Sequence, residues 1–223
     1  MPHVRRGGRP SREASEKIGD LILDAATEMF LAHGFGATSI DAVAQRLRIS
    51  KRTFYHRFAD KETLFAAVVH RIVDRLRPAA DVPLIEGADL RAILERLATM
   101  ILHAATSPHA IALHRLIVAE SARFPELAAV LGREGAMEEA VRLIAGILER
   151  EATSGRVDVP DTTFAARQFL QMVIALPQRR AMGLGARMTK REIAQWPAKV
   201  MELFIFGCRP LSPLAGRGRV KRR

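Results

Sequence analysis

From Ile18 to Phe204 the apolar residues of this chain recur three and four positions apart, and no alternating stretch of useful length interrupts them. That period belongs to amphipathic helices and leaves no segment for a sheet. The chain is therefore expected to be all-α, with about nine helices. Ile18, Leu21, Ile22, Ala25, Ala26, Met29 and Phe30 make the first stripe. His33-Gly34 closes it, glycine being suited to the left-handed residue just past a helix end. Ile40, Val43, Ala44 and Leu47 make the second, with Thr38 and Asp41 reading as a capping-box-like start. A tight turn at 48–50 leads to a short third helix after Ser50, with Phe54 and Phe58 on one face. Asp60 is expected to cap a fourth helix, and Pro78 to stop it, because the residue before proline resists helical geometry. Later helices are expected to start at Asp89, at Ser107-Pro108, at Phe124-Pro125 and just before Met137. Asp161 is expected to cap a helix over 162–182, and Thr189 one over 190–207. Pro177 and Pro197 fall inside these last two, where proline removes a backbone bond.

The composition narrows the class. With 223 residues and 48% hydrophobic content the chain can bury a sizeable core. Its one cysteine, Cys208, excludes an intrachain disulfide framework and a Cys-rich zinc module. No run of about 18 apolar residues exists, and the charged N-terminus is followed by no apolar stretch. Neither a membrane span nor a secretory signal is expected, and the cytoplasm is the expected location.

The net charge of +11 suggests a polyanion partner, and its distribution is more telling than its sum. Residues 1–12 carry +4 and residues 207–223 carry +6, both without an acid. Both ends are rich in Gly, Pro and Arg and lack apolar periodicity. Within 13–206 one island stands out. Residues 46–61 carry Arg46, Arg48, Lys51, Arg52, Arg57 and Lys61 against Asp60, a net of +5, on a remainder of −4.

Three short helices, the second and third joined by a tight turn, match a helix-turn-helix module at about 39–58. On a helical wheel Phe54 and Phe58 set the buried direction of the third helix. Arg52 and His56 then point outward, Thr53 lies near them, and Tyr55 is on a flank. Lys51 falls nearer the buried side but starts the helix, where its long side chain can reach out. Arginine can pair with a guanine edge, threonine can meet a thymine methyl, and Lys or Tyr can hold phosphates. Lys61, opening the next helix, is placed for a further phosphate.

The stretches ILDAATEMFLAHGFGATS (22–39) and TSIDAVAQRLRISKRTFYHRFADKETLF (38–65) resemble the N-terminal domain of TetR-type transcriptional regulators, and the likeness extends over about 17–77. The resemblance implies an all-helical homodimer with a three-helix DNA-binding head and a ligand-binding, dimerising C-terminal domain. It assigns Thr38 and Lys61 to phosphates. It assigns Lys51, Arg52, Thr53, Tyr55 and His56 to the recognition surface, with Tyr55 on the backbone. The implied partners are an operator in double-stranded DNA, a second copy of the chain and a small apolar effector. The domains expected are a flexible basic arm at 1–16, the head at 17–77, the C-terminal domain at 78–209 and a disordered basic tail at 210–223.

In the C-terminal half, 110–127 and the helix after it resemble one subgroup of the same regulators. Candidate pocket residues are Leu97, Met100, Ile101, His114, Ile117, Met137, Val141 and Met172, which at helical spacing also serve as plain core. The last two helices are apolar on more than one face, which suggests a four-helix interface between subunits. Phe169, Val173, Ile193, Trp196, Val200 and Phe204 are the candidates for it. No cofactor or metal is expected, because His103, His109 and His114 lack the i, i+4 spacing of helical ligands. Two other classes remain open: a polyanion binder acting through its basic ends, and a small helical enzyme.

Overall fold

The computed structural model describes residues 12–77, 89–133 and 136–207, with the side chains of 12–15, 128, 131 and 133 left aside. Among the described residues there are ten helices and no strand. They are α1 (Arg12–His33), α2 (Ile40–Leu47), α3 (Lys51–Tyr55), α4 (Lys61–Leu76), α5 (Leu90–Ala105), α6 (Pro108–Glu120), α7 (Pro125–Arg133), α8 (Ala136–Thr153), α9 (Thr162–Ala181) and α10 (Lys190–Gly207). The first helix opens at Arg12, inside the segment expected to be an unstructured arm. The rest of that arm, Pro78, Cys208 and the 210–223 tail lie outside the described residues.

The starts follow from side chains that satisfy the orphan amides of a first helical turn. Asp60, Asp89 and Asp161 each accept from the amide three residues on, at 2.6, 2.8 and 2.8 Å. Thr189 and Glu192 form a reciprocal box: Glu192 N–H donates to Thr189 Oγ1, and Thr189 N–H donates to Glu192 Oε2. At α2 the cap is Ser39, whose Oγ accepts from Ala42 N–H, and not Thr38. Past α1, Gly34 takes φ +88°, as its place beyond the helix end requires.

Contacts divide the chain into two units. The first takes residues up to 76 and also 112–134, so most of α6 and all of α7 pack with the head; the expectation had placed that stretch in the C-terminal domain. Its core holds Ile22, Phe30, Phe35, Phe54, Leu64, Phe65, Val69 and Leu127, all at 1% exposure or less. Phe30, Phe35 and Phe65 meet ring to ring at 5.3–5.6 Å.

The second unit takes 77–111 and everything from 135 on. Its core is α5, α8, α9 and α10, closed around Leu94, Leu102, Ile144, Leu148, Phe169, Val173 and Met201. This core corrects the interface assignment. Phe169, Val173, Val200 and Phe204 are buried inside the subunit, because α9 and α10 pack on each other and on α5. Ile193 and Trp196 are half-buried against the same core. The large apolar side chains that α9 and α10 leave exposed are Phe164, Leu203 and Phe206, at 60%, 66% and 71%.

The pocket candidates divide as well. Leu97 and Val141 are buried core, with Ile101 and Met172 packed at its edge, and Met100 is half-buried on α5. Met137 is 45% exposed. His114 and Ile117 belong to the first unit, and the other six to the second.

Both internal prolines are buried, and α9 and α10 run through them. Pro177 has no N–H for Val173 O, its partner four residues back. The indole of Trp196 supplies one instead: Nε1 donates to Val173 O at 3.0 Å and to Met172 O at 3.2 Å.

Candidate nucleic-acid interface

The recognition helix α3 is built from its buried side outward. Phe54 is fully buried and Phe58 nearly so, their rings 5.9 Å apart. Burying a ring of this size contributes about 1.5–3 kcal/mol, enough to fix the roll of a five-residue helix. Ser50 caps it, accepting from Thr53 N–H at 3.1 Å. The turn before it is set by Arg48, which takes the left-handed conformation at φ 54° and donates its amide to Ala44 O and Gln45 O.

With that roll fixed, Lys51, Arg52, Tyr55 and His56 are exposed. Tyr55 is 52% exposed, its ring edge-on to Phe54 at 5.7 Å, so a buried ring orients an open one. Thr53 is half-buried, and its hydroxyl is shared with Ser50 Oγ at 2.8 Å. Lys51 Nζ sits 2.8 Å from Asp41 Oδ2 of α2. Its hydrogen bond to that carboxylate, and then the carboxylate's charge, raise the Lys51 pKa and keep the ammonium charged. Arg46, also in the basic island, pairs with Glu28 of α1.

Thr38 and Lys61 meet at the backbone of the 34–38 turn. Thr38 is 2% exposed and its hydroxyl donates to Gly34 O at 2.9 Å. Lys61 is half-buried, and its ammonium donates to Phe35 O at 3.0 Å and Thr38 O at 3.1 Å. It also stands 4.3 Å from the centre of the Phe35 ring. Both residues serve the backbone of the 34–38 turn, whose carbonyls need partners once they leave the helix. That turn has a partner no sequence pattern flagged. Glu120, at the end of α6, accepts from Gly36 N–H at 2.9 Å.

A capped short helix, rolled so that its cationic and hydroxyl-bearing side chains face outward behind a left-handed turn, defines a helix-turn-helix regulator that binds DNA. Comparison with known proteins agrees. The model for bacterial regulatory proteins of the tetR family matches 22–68, and that for the C-terminal domain of AefR-like transcriptional repressors matches 92–206. The chain belongs to the tetR family, and it is a DNA-binding regulator of transcription.

Among solved structures, the flavonoid-responsive regulator FrrA is 32% identical, with a TM-score of 0.74 over 88% of this chain and 100% of that one. A tetR-family transcriptional regulator of Mesorhizobium loti MAFF303099 is 26% identical, with a TM-score of 0.73 over 90% of this chain and 100% of that one. The HTH-type transcriptional regulator UidR of Escherichia coli K12 is 33% identical over 110 residues, 49% of this chain and 55% of UidR. The HTH-type transcriptional activator FasR of Mycolicibacterium smegmatis is 40% identical over 72 residues, 32% of each chain. The chain thus spans between a third and about half of the length of these curated relatives. No helix among the described residues is long and apolar enough to cross a membrane.

Proposed function

We propose that the chain is an effector-responsive repressor that binds a palindromic operator as a homodimer. The observation that carries this reading is the open face of α3: Lys51, Arg52, Tyr55 and His56 exposed around a buried Phe54. Arg52 and His56 take the base edges, with Thr53 at their side; Tyr55 holds a phosphate, and Lys51, drawn to Asp41, adds a cation beside them. The likeness of 92–206 to a repressor's C-terminal domain supports repression over activation.

The dimer rests on residues other than those first expected. Phe164, Leu203 and Phe206 are large apolar side chains left open on α9 and α10, and a second copy covers them. Two recognition helices about 34 Å apart then meet successive major grooves on one side of the duplex. The effector is a small, mainly apolar molecule held by the second unit near Ile101 and Met172. Its class is supported by the 32% identity to a regulator named for its response to flavonoids.

Selection of bound duplexes from a random pool tests the reading. A recovered palindrome with half-sites about one helical turn apart is the expected result. Recovery of no common sequence overturns it, and binding that depends only on the basic ends points to the polyanion class instead.

A further inference from the structure

The backbone of the 34–38 turn is held from two sides by opposite charges. On one side the Lys61 ammonium takes the carbonyls of Phe35 and Thr38. On the other the Glu120 carboxylate takes the Gly36 amide, from 84 positions further along the chain. The two glycines make the room for it. A Cβ at Gly34 would collide with Glu120 Oε1, and one at Gly36 would lie 3.2 Å from Oε2 and 3.4 Å from Phe124 Cε2. Phe124, just past α6, adds an edge-on contact to the Phe35 ring at 5.0 Å. The turn ends at Ser39, the cap of α2, and α2 in turn packs on α3. Whatever fixes this turn fixes where the helix-turn-helix begins.

We propose that Glu120 is a positioning residue for DNA binding: its carboxylate, opposed to Lys61 across the 34–38 turn, sets the placement of α2 and so of the recognition helix. This rests on the reading of the α3 face as the DNA surface. Glu120 touches no DNA in this account and acts through Gly36. A hydrogen bond to a carboxylate is about twice as strong as a neutral one, so its loss is felt at the turn before it is felt in the global fold. Glutamine keeps an oxygen that accepts from the Gly36 amide, and alanine does not.

The test uses the full chain and the duplex recovered by selection, with a scrambled duplex beside it. Affinity, melting temperature and Gly36 amide exchange are measured for wild type, Glu120→Gln, Glu120→Ala, Arg52→Ala and the core variant Leu148→Ala. Glu120→Ala is expected to weaken operator binding about tenfold and to speed Gly36 exchange, with a melting temperature close to wild type. Glu120→Gln is expected to restore most of both. Operator binding by Glu120→Ala at wild-type strength overturns the proposal. So do equal losses in the Gln and Ala variants, or a loss in Glu120→Ala that simply follows its melting temperature as it does in Leu148→Ala. If Arg52→Ala loses discrimination while Glu120→Ala keeps it, the positioning role alone fails. If wild type selects no sequence, the DNA reading itself fails.

Discussion

The indole N–H of Trp196 on α10 donates at 3.0 Å to Val173 O on α9, the carbonyl that Pro177 leaves without a helical partner. A proline that would otherwise weaken α9 is thus made good by the neighbouring helix, and the two helices are joined where one of them lacks a backbone hydrogen bond. Trp196→Phe keeps an aromatic ring, smaller than the indole, and removes the donor. A buried carbonyl left unpaired costs about 1–3 kcal/mol. The denaturant midpoint of the Phe variant is expected to fall accordingly with an unchanged slope, and an unchanged midpoint would show that the carbonyl finds another partner.

Four of the six residues expected at the dimer interface are buried in the subunit, and they and the three left exposed give opposite predictions. Phe204 is 7% exposed and packs on Phe169 at 5.0 Å, so Phe204→Ala is expected to destabilise the subunit by about 3–5 kcal/mol. Leu203 and Phe206 are open, so Leu203→Glu with Phe206→Glu is expected to leave helix content intact and yield monomers. Sedimentation velocity beside circular dichroism separates the two outcomes. A dimer that survives both glutamates places the interface elsewhere.

This exchange of roles marks where the sequence stops being informative. Asp60, Asp89, Asp161 and Thr189 were legible as helix starts because a cap acts on an amide three residues away. The roll of α3 was legible for the same reason, since Phe54 and Phe58 lie four apart. Which apolar face of α9 meets its own subunit was not, because both faces are apolar and only the packing of four helices decides. Thr38 and Ser39 are adjacent hydroxyls, and tertiary burial of Thr38 is what leaves the cap to Ser39. Glu120 carries no local signature, and the local signature of Asp41 points to its own helix start and not to Lys51: each matters through a partner on another element.

The pair of Lys51 with Asp41 ties the first residue of α3 to the first turn of α2. Asp41→Asn releases the ammonium toward the phosphates. Non-specific binding is expected to strengthen, with a salt slope steeper by about one counterion, and preference for the operator is expected to fall. Fluorescence anisotropy across a salt series checks this, and an unchanged slope would mean that Lys51 already reaches DNA past Asp41.

Acid sensitivity follows from Glu138, whose carboxylate takes two hydrogen bonds of 2.8 Å from Arg167. Those bonds first, and then the positive charges of Arg167 and Arg142, hold its pKa below the ordinary 4.5. A pKa lowered on folding contributes stability that is complete above pH 4.5 and is lost as pH falls through the lower folded value. Wild type is therefore expected to lose more stability than Glu138→Gln as pH falls below 4.5, by a small margin that salt reduces, because the pair is exposed. Parallel pH profiles for the two proteins would remove the pair from the account.

The central claim is that sequence is read by the open face of α3 and not by charge alone. The most direct measurement compares operator with scrambled duplex for wild type, Arg52→Ala and a chain lacking residues 1–11 and 208–223. Arg52→Ala is expected to lower the operator preference about tenfold or more, the scale of one base contact, while scrambled binding barely changes. The trimmed chain is expected to bind both duplexes more weakly and keep its preference. Arg52→Ala with the full preference, alongside a trimmed chain that has lost it, would contradict the account.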